Sequence, residues 1–377
     1  MTRLPLSCLV SLFVLGCSGR YEVGEMNAQG GSSGNAAGAM AVGGSASSGD
    51  GARPSVGGTA ASGGGTGSGD TGGGDLTQPQ TCGPRGTLTT LTGKLAAPRV
   101  VWDRLAPVIW AVPPGVPKDL PTQTSTAWVD KEVQVWLESD ASDMGPVFVR
   151  KWLGLPDAAK LQGDYRIAGP WPLLPELNMT TLVAPDVRSS PFTEPAFLSQ
   201  FPSISSRGTV MLRALFGQLV PPPPPETSTQ PPETDLSERI ALENAIANPA
   251  CLACHRLFDP LGYALSHYDA SGAYRELDKG QAIDTSGSVG LPADDRTLDF
   301  QDLPDLLSSS WATCSARLSI ADNFLRIALE LSGFSEQQRD QLFTANQARI
   351  EEAFVNSSLS YWSLVTAYAQ TPAVLQP

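Results

Sequence analysis

Apolar positions along this chain recur mostly at helical spacing. Val129, Val133, Trp136 and Leu137 stand at i, i+4, i+7 and i+8, one face of an amphipathic helix. Val147-Phe148-Val149 with Trp152-Leu153 predicts a second, short helix. Pro170, Pro172, Pro175 and Pro185 then interrupt the chain repeatedly, and Pro221 to Pro225 with Pro231-Pro232 reads as extended polyproline. Beyond it, Asp235 followed three residues later by Glu238 reads as a capping box opening a helix from Leu236 to about Ala247. Leu242, Ala245 and Ile246 lie on one side of it, and Pro249 ends it. Leu318, Ala321, Leu325 and Ala328 mark a further helix stopped at Gly333, and Ser335 with Gln338 caps the next. Phe354, Leu359, Trp362 and Leu364 predict a last apolar helix, able to pack on the helix that follows residue 249. The pattern is mainly α, with long irregular connections.

The first eighty residues lack this periodicity. Arg3 precedes an apolar stretch from Leu4 to Leu15, too short to span a bilayer, which reads as a signal peptide. Val14-Leu15-Gly16-Cys17 resembles a bacterial lipobox, which implies lipid on Cys17 and an extracytoplasmic, membrane-tethered protein; Ser18 favours the outer membrane over the inner. Residues 17–81 are rich in Gly, Ser and Ala, as in Gly72-Gly73-Gly74. Such composition buries too little apolar surface to offset chain entropy, so it predicts a disordered tether with a reach of roughly 40 Å. The formal net charge is −13, which argues against nucleic acid and anionic lipid surfaces as partners.

Against this background one pentapeptide carries chemistry. Cys251-Leu252-Ala253-Cys254-His255 is the attachment pattern of c-type haem. Two thiols three positions apart can each form a thioether to a haem vinyl group, and the adjacent imidazole then falls under the iron as proximal ligand. A proximal histidine donates its second N–H to an acceptor that fixes its tautomer. By analogy with other cytochromes c, the Pro260 carbonyl is the expected acceptor, with Gly262 letting backbone approach the haem edge; an ordinary turn over Asp259-Pro260-Leu261-Gly262 is the alternative. The sixth ligand stays open. The chain has two histidines, and no methionine follows Met211, so His267, Met211 or an open distal site remain. Arg275 reads either as a partner for a haem propionate or as the partner of Asp269 across a turn at Gly272. Zinc, held by Cys251, Cys254 and Cys314 with His255 or His267, is the rival metal reading. With Cys8 in the signal and Cys17 carrying lipid, Cys82 and Cys314 remain, and an oxidising compartment favours a disulfide between them.

A longer pattern surrounds the motif. Arg207-Gly208, Leu215, Pro221 to Pro225 and Asn248-Pro249-Ala250 lead into it. Asp259-Pro260-Leu261-Gly262-Tyr263-Ala264-Leu265 and Tyr268-Asp269-Ala270-Ser271-Gly272-Ala273-Tyr274-Arg275 follow. Together these resemble the uncharacterised cytochrome c-like domains of planctomycete and myxobacterial surface proteins, over about residues 197–290. Phe148 to Leu155 weakly resembles the domain that usually precedes them, and the last helices resemble the family's closing domain in position. Arg326-Ile327-Ala328-Leu329-Glu330 stands where that domain usually ends in Tyr-Ala-Leu-Gly-Arg.

The resemblance implies haem c binding and electron transfer. The organisation expected is a lipoprotein signal peptide over 1–16, the tether over 17–81, and an irregular helical region over 82–220. A Pro-rich spacer over 221–234 and a cytochrome c-like helical haem domain over 235–377 complete it. The leading function is single-electron transfer between redox partner proteins, with the membrane reached through Cys17. A haem enzyme with an open distal side and a non-redox surface-binding lipoprotein are the alternatives.

Overall fold

A computed structural model describes residues 82–138, 144–163, 165, 190–220, 235–291, 294, 296–311, 313–356 and 361–377. The signal peptide and tether expected over 1–81, Cys17 within them, the spacer over 221–234, Pro170, Pro172, Pro175, Pro185 and Leu359 lie outside these residues. The described chain is mainly helical, with twelve α-helices.

Helix α1 (Pro98–Ile109) starts with proline at its first position, where a missing N–H goes unnoticed. Its Trp102 meets Trp136 of α2 (Thr126–Glu138) edge-on at 4.8 Å and Trp110 at 5.4 Å. Helix α2 buries Val129, Val133, Trp136 and Leu137, the four positions its periodicity marks. Helix α3 (Met144–Leu153) buries Phe148, Val149, Trp152 and Leu153. After a short 3₁₀ turn at Pro191–Thr193 come α4 (Pro195–Gln200) and α5 (Ile204–Phe216). Ser203 opens α5 with a reciprocal cap to Ser206, and Gly217 closes it in the left-handed conformation. Periodicity had marked neither α1, which holds Pro107 in its interior, nor α5.

Helix α6 (Glu238–Ala245) is shorter than predicted and starts later. Asp235 does not cap it; the Glu238 amide donates to the Asp278 carboxylate at 2.6 Å instead. Pro249 does not end that helix. It is the first residue of α7 (Pro249–Tyr263), which carries the whole cysteine–histidine motif and runs on through Pro260. Two antiparallel hairpins follow that the apolar pattern had not indicated. β1 (Leu277–Asp278) pairs with β2 (Gln281–Ala282), and β3 (Gly287–Leu291) with β4 (Arg296–Phe300) in the register Val289 opposite Leu298. Val289, Leu291, Leu298 and Phe300 share the buried face, as a period of two requires.

The C-terminal helices are α8 (Leu303–Ser310), α9 (Cys314–Leu331), α10 (Glu336–Asn356), α11 (Tyr361–Ala369) and α12 (Pro372–Leu375). Leu318, Ala321, Leu325 and Ala328 are all buried on α9, Gly333 follows its end with φ 78°, and Ser335 and Gln338 cap α10 reciprocally. The predicted last helix is two: Phe354 belongs to α10, Trp362 and Leu364 to α11. Helix α11 packs chiefly on α2 and α10, not on the motif helix α7, whose main neighbours are α5 and β3. Helix α9 is the hub, packed against α1, α3, α5, α10 and α11. Fully buried Phe148, Phe324 and Phe354 each contribute about 1.5–3 kcal/mol by leaving water. All described residues fall in one compact unit, and the chain on both sides of 221–234 feeds one apolar core.

The first residues form a strap across this core. Cys82 is disulfide-bonded to Cys314 at the start of α9, with Cα atoms 5.4 Å apart. Arg85 donates to Glu351 and Asp322, Thr89 to the Ala345 carbonyl, and the Ala96 amide to Leu375. Among the described residues no helix is long and apolar enough to cross a membrane.

Candidate functional site

The motif is presented by α7, and α7 is held by α5. At their crossing both helices lack side chains. A β-carbon on Gly208 would overlap the Phe258 carbonyl, and one on Gly262 would overlap the Ile204 carbonyl. Gly262 thus lets α7 approach α5, a role its sequence context did not show.

The Asn248 carbonyl accepts from the amides of Cys251 and Leu252, starting α7 one residue before its proline. Three and four residues on from Cys251, Cys254 and His255 fall on the same helical face. Cys251 is buried, Cys254 is half-buried and packs against the core, and both carry free thiols. The His255 ring lies 4.9 Å from that of Phe258, the next residue along this face.

The histidine's partner differs from expectation. Nδ1 of His255 lies 2.8 Å from Oδ2 of Asp259, one turn on, not on the Pro260 carbonyl. The reason is local: an i, i+4 pair faces itself on a helix, whereas the Pro260 carbonyl runs along the helix axis. The sequence pattern places Asp259 only in a candidate turn with Pro260. Instead it is 1% exposed, with its other oxygen accepting from the Ser205 hydroxyl of α5 at 2.7 Å. A carboxylate only accepts, so in this pairing Nδ1 of His255 is the donor. Nearby, burial first and then the charges of Asp259 and Glu243 push the Tyr263 phenol well above its ordinary range, so it stays neutral. Arg239 stacks over its ring at 4.1 Å.

Other residues singled out from sequence sit elsewhere. Met211 is fully buried in the apolar core on α5. His267 places Nδ1 2.8 Å from the Arg275 carbonyl and stacks on Tyr274 at 5.0 Å. Arg275 pairs with Asp278 at 3.1 Å and Glu238 at 3.3 Å, not with Asp269. Asp269 is occupied by its own turn, accepting from Ser271 and the Ala273 amide, with Gly272 at φ 86° where side chains rarely go. The zinc set fails: Cys314 is bonded to Cys82, and among the described residues no three His, Cys, Asp or Glu side chains gather as a metal site.

Two further residues shape this region, Arg207 and Glu238, the second read from sequence only as part of a capping box. Arg207 is fully buried and donates to the carbonyls of Phe201, Leu265 and Tyr268, tying α5 to the loop after α7. Glu238 accepts from the Ile204 amide at the start of α5 and pairs with Arg275. The flanking pattern from Arg207 to Arg275 is therefore largely a frame for α7. The signal available in sequence for Asp259 was its i, i+4 spacing from His255, legible once a helix is assumed there.

The donor set fits a covalently held planar metal cofactor. Two free thiols lie one turn apart, beside an imidazole whose Nδ1 meets a buried carboxylate, so that Nε2 would be the nitrogen to meet a metal. No curated protein and no solved structure matches this chain. Residues 194–278, which span α4 to α7 and the loop ending at Arg275 and Asp278, match the family model PSCyt3, protein of unknown function (DUF1588), and over that stretch the chain is similar to this cytochrome-like domain family.

Proposed function

We propose that this protein is a lipid-anchored, extracytoplasmic monohaem c-type cytochrome that carries single electrons. One observation carries the reading: Cys251, Cys254 and His255 share one helical face with both thiols free, while Cys82 and Cys314 are bonded to each other. Cys251 and Cys254 would hold the haem through thioethers, each S–H adding across one vinyl group so that no oxidant is needed. His255 would ligate the iron through Nε2. Haem held there would supply one-electron chemistry. The chain's part is to hold the group, limit water and offer a docking surface. Cys17 tethers the domain to the outer membrane, and the formal net charge of −13 argues against nucleic acid as a partner.

A haem-dependent peroxidase stain on a denaturing gel, after expression in a host competent in cytochrome c maturation, tests this. The wild-type chain is expected to stain and the Cys251→Ala/Cys254→Ala double variant not to; an unstained wild type sinks the reading. A second reading, a haem enzyme with an open distal side, is favoured by the position of Met211 in the apolar core on α5. An oxidised spectrum that shifts with cyanide supports it, and one unchanged supports a closed carrier.

A further inference from the structure

His255 is oriented by a buried anion where a neutral carbonyl was expected. Its Nδ1 meets Oδ2 of Asp259 at 2.8 Å, and the Ser205 hydroxyl of the facing helix holds Oδ1 at 2.7 Å. Both carboxylate oxygens are thus engaged, and the group is 1% exposed. A charge-assisted hydrogen bond is roughly twice as strong as a neutral one, and the low dielectric around a buried group strengthens it further.

We propose that Asp259 is the positioning residue of the metal-binding histidine, and that its negative charge sets the bound iron to a lower potential than a carbonyl partner would. The physical chain is short. The carboxylate draws the Nδ1 proton toward itself. The imidazole gains electron density, and Nε2 becomes a stronger donor. A stronger donor stabilises the oxidised iron, with its higher charge, more than the reduced iron, so the potential falls. Ser205 moderates this effect: its donated hydrogen bond spreads part of the charge onto Oδ1, away from the histidine. Asp259 touches neither substrate nor iron and acts only through His255.

This inference rests on the haem reading, and the experiment separates the two. The full chain is matured with haem in the wild type and in Asp259→Asn and Ser205→Ala, and spectroelectrochemical titration reads each midpoint potential. Asparagine keeps an oxygen that can accept from Nδ1 and removes the charge. Asp259→Asn is expected to raise the reduced-to-oxidised ratio at fixed ambient potential at least tenfold, a positive shift of about 59 mV for one electron. Ser205→Ala is expected to move the potential in the opposite, negative direction by a smaller amount. A residue that merely pinned α5 to α7 would give no such opposed pair. An unmoved or lowered potential in Asp259→Asn overturns the proposal. Where that variant does not mature, the sign of the Ser205→Ala shift decides alone: negative upholds it, zero or positive overturns it. A wild type without covalent haem fails the underlying reading instead, and the stain reports that before any potential is measured.

Discussion

Single side chains in this protein are set by what they are buried beside. Asp259 illustrates it at the motif, and Asp322 on α9 shows it far from there. Burial raises the Asp322 carboxyl to about 6 and adjacent Glu351 raises it too, while Arg85 and a hydrogen bond from Gln347 oppose them. An unfolded aspartate titrates near about 4. Between these values the folded chain holds more protons than the unfolded one, so this group's contribution to stability is greatest below about pH 4 and falls as pH rises toward 6. Melting temperatures measured across that window are expected to decline with pH in the wild type and to flatten in Asp322→Asn. Equal slopes in the two proteins would contradict the assignment. Nothing in the sequence marked Asp322, because its partners come from residues 85 and 351, and only the fold brings them together.

At the scale of elements, the crossing of α5 and α7 decides where the motif sits. Gly208 and Gly262 each leave room for the other helix's backbone, so the two axes approach closely and Ser205 reaches Asp259. Gly208→Ala is expected to destabilise the fold by about 1–3 kcal/mol, since the added carbon can be accommodated only by moving α7 backbone. Gly290 on β3 is the control: a β-carbon there meets nothing within 4 Å, so Gly290→Ala is expected to stay within about 0.5 kcal/mol. Denaturant unfolding of the two variants checks the contrast. Helices α2, α3 and α9 were legible in sequence because each buries a stripe of large side chains. Helix α7 was legible only in part, since its sequence reads locally as a motif followed by an Asp-Pro turn; packing against α5 and β3 carries the helix on through Pro260. Helix α1 escaped notice for a related reason, an interior proline that its buried Val101, Trp102, Leu105 and Ile109 outweigh.

For the whole molecule, the strap from Cys82 to Ala96 closes the fold by joining its first described residues to α9, α10 and α12. The disulfide spans 232 positions, and closing so long a loop in the unfolded chain is worth up to about 5 kcal/mol. Replacing both cysteines by serine is expected to lower unfolding stability by about 3–5 kcal/mol and to leave helical content intact below the transition. An unchanged denaturation midpoint would show that the strap's hydrogen bonds and ion pairs hold without it. The core shared across residues 221–234 makes the motif helix part of this larger body, so loosening the strap is felt through α9 and α5 as well as locally.

The sequence by itself determined the helical class, the caps at Ser335 and the stop at Gly333, and the Cys251, Cys254, His255 triplet, and it singled out the pairing of Cys82 with Cys314. These depend on spacing, on residues within a few positions of one another, or on counting what is left over. The tertiary structure alone decided that Asp259 holds His255 in place of Pro260, that Gly262 serves a helix crossing, and that Arg275 answers Glu238 and Asp278. The reason is physical. A hydrogen bond or close approach between residues far apart in sequence depends on which helix faces which, and that follows from burying the whole apolar surface at once.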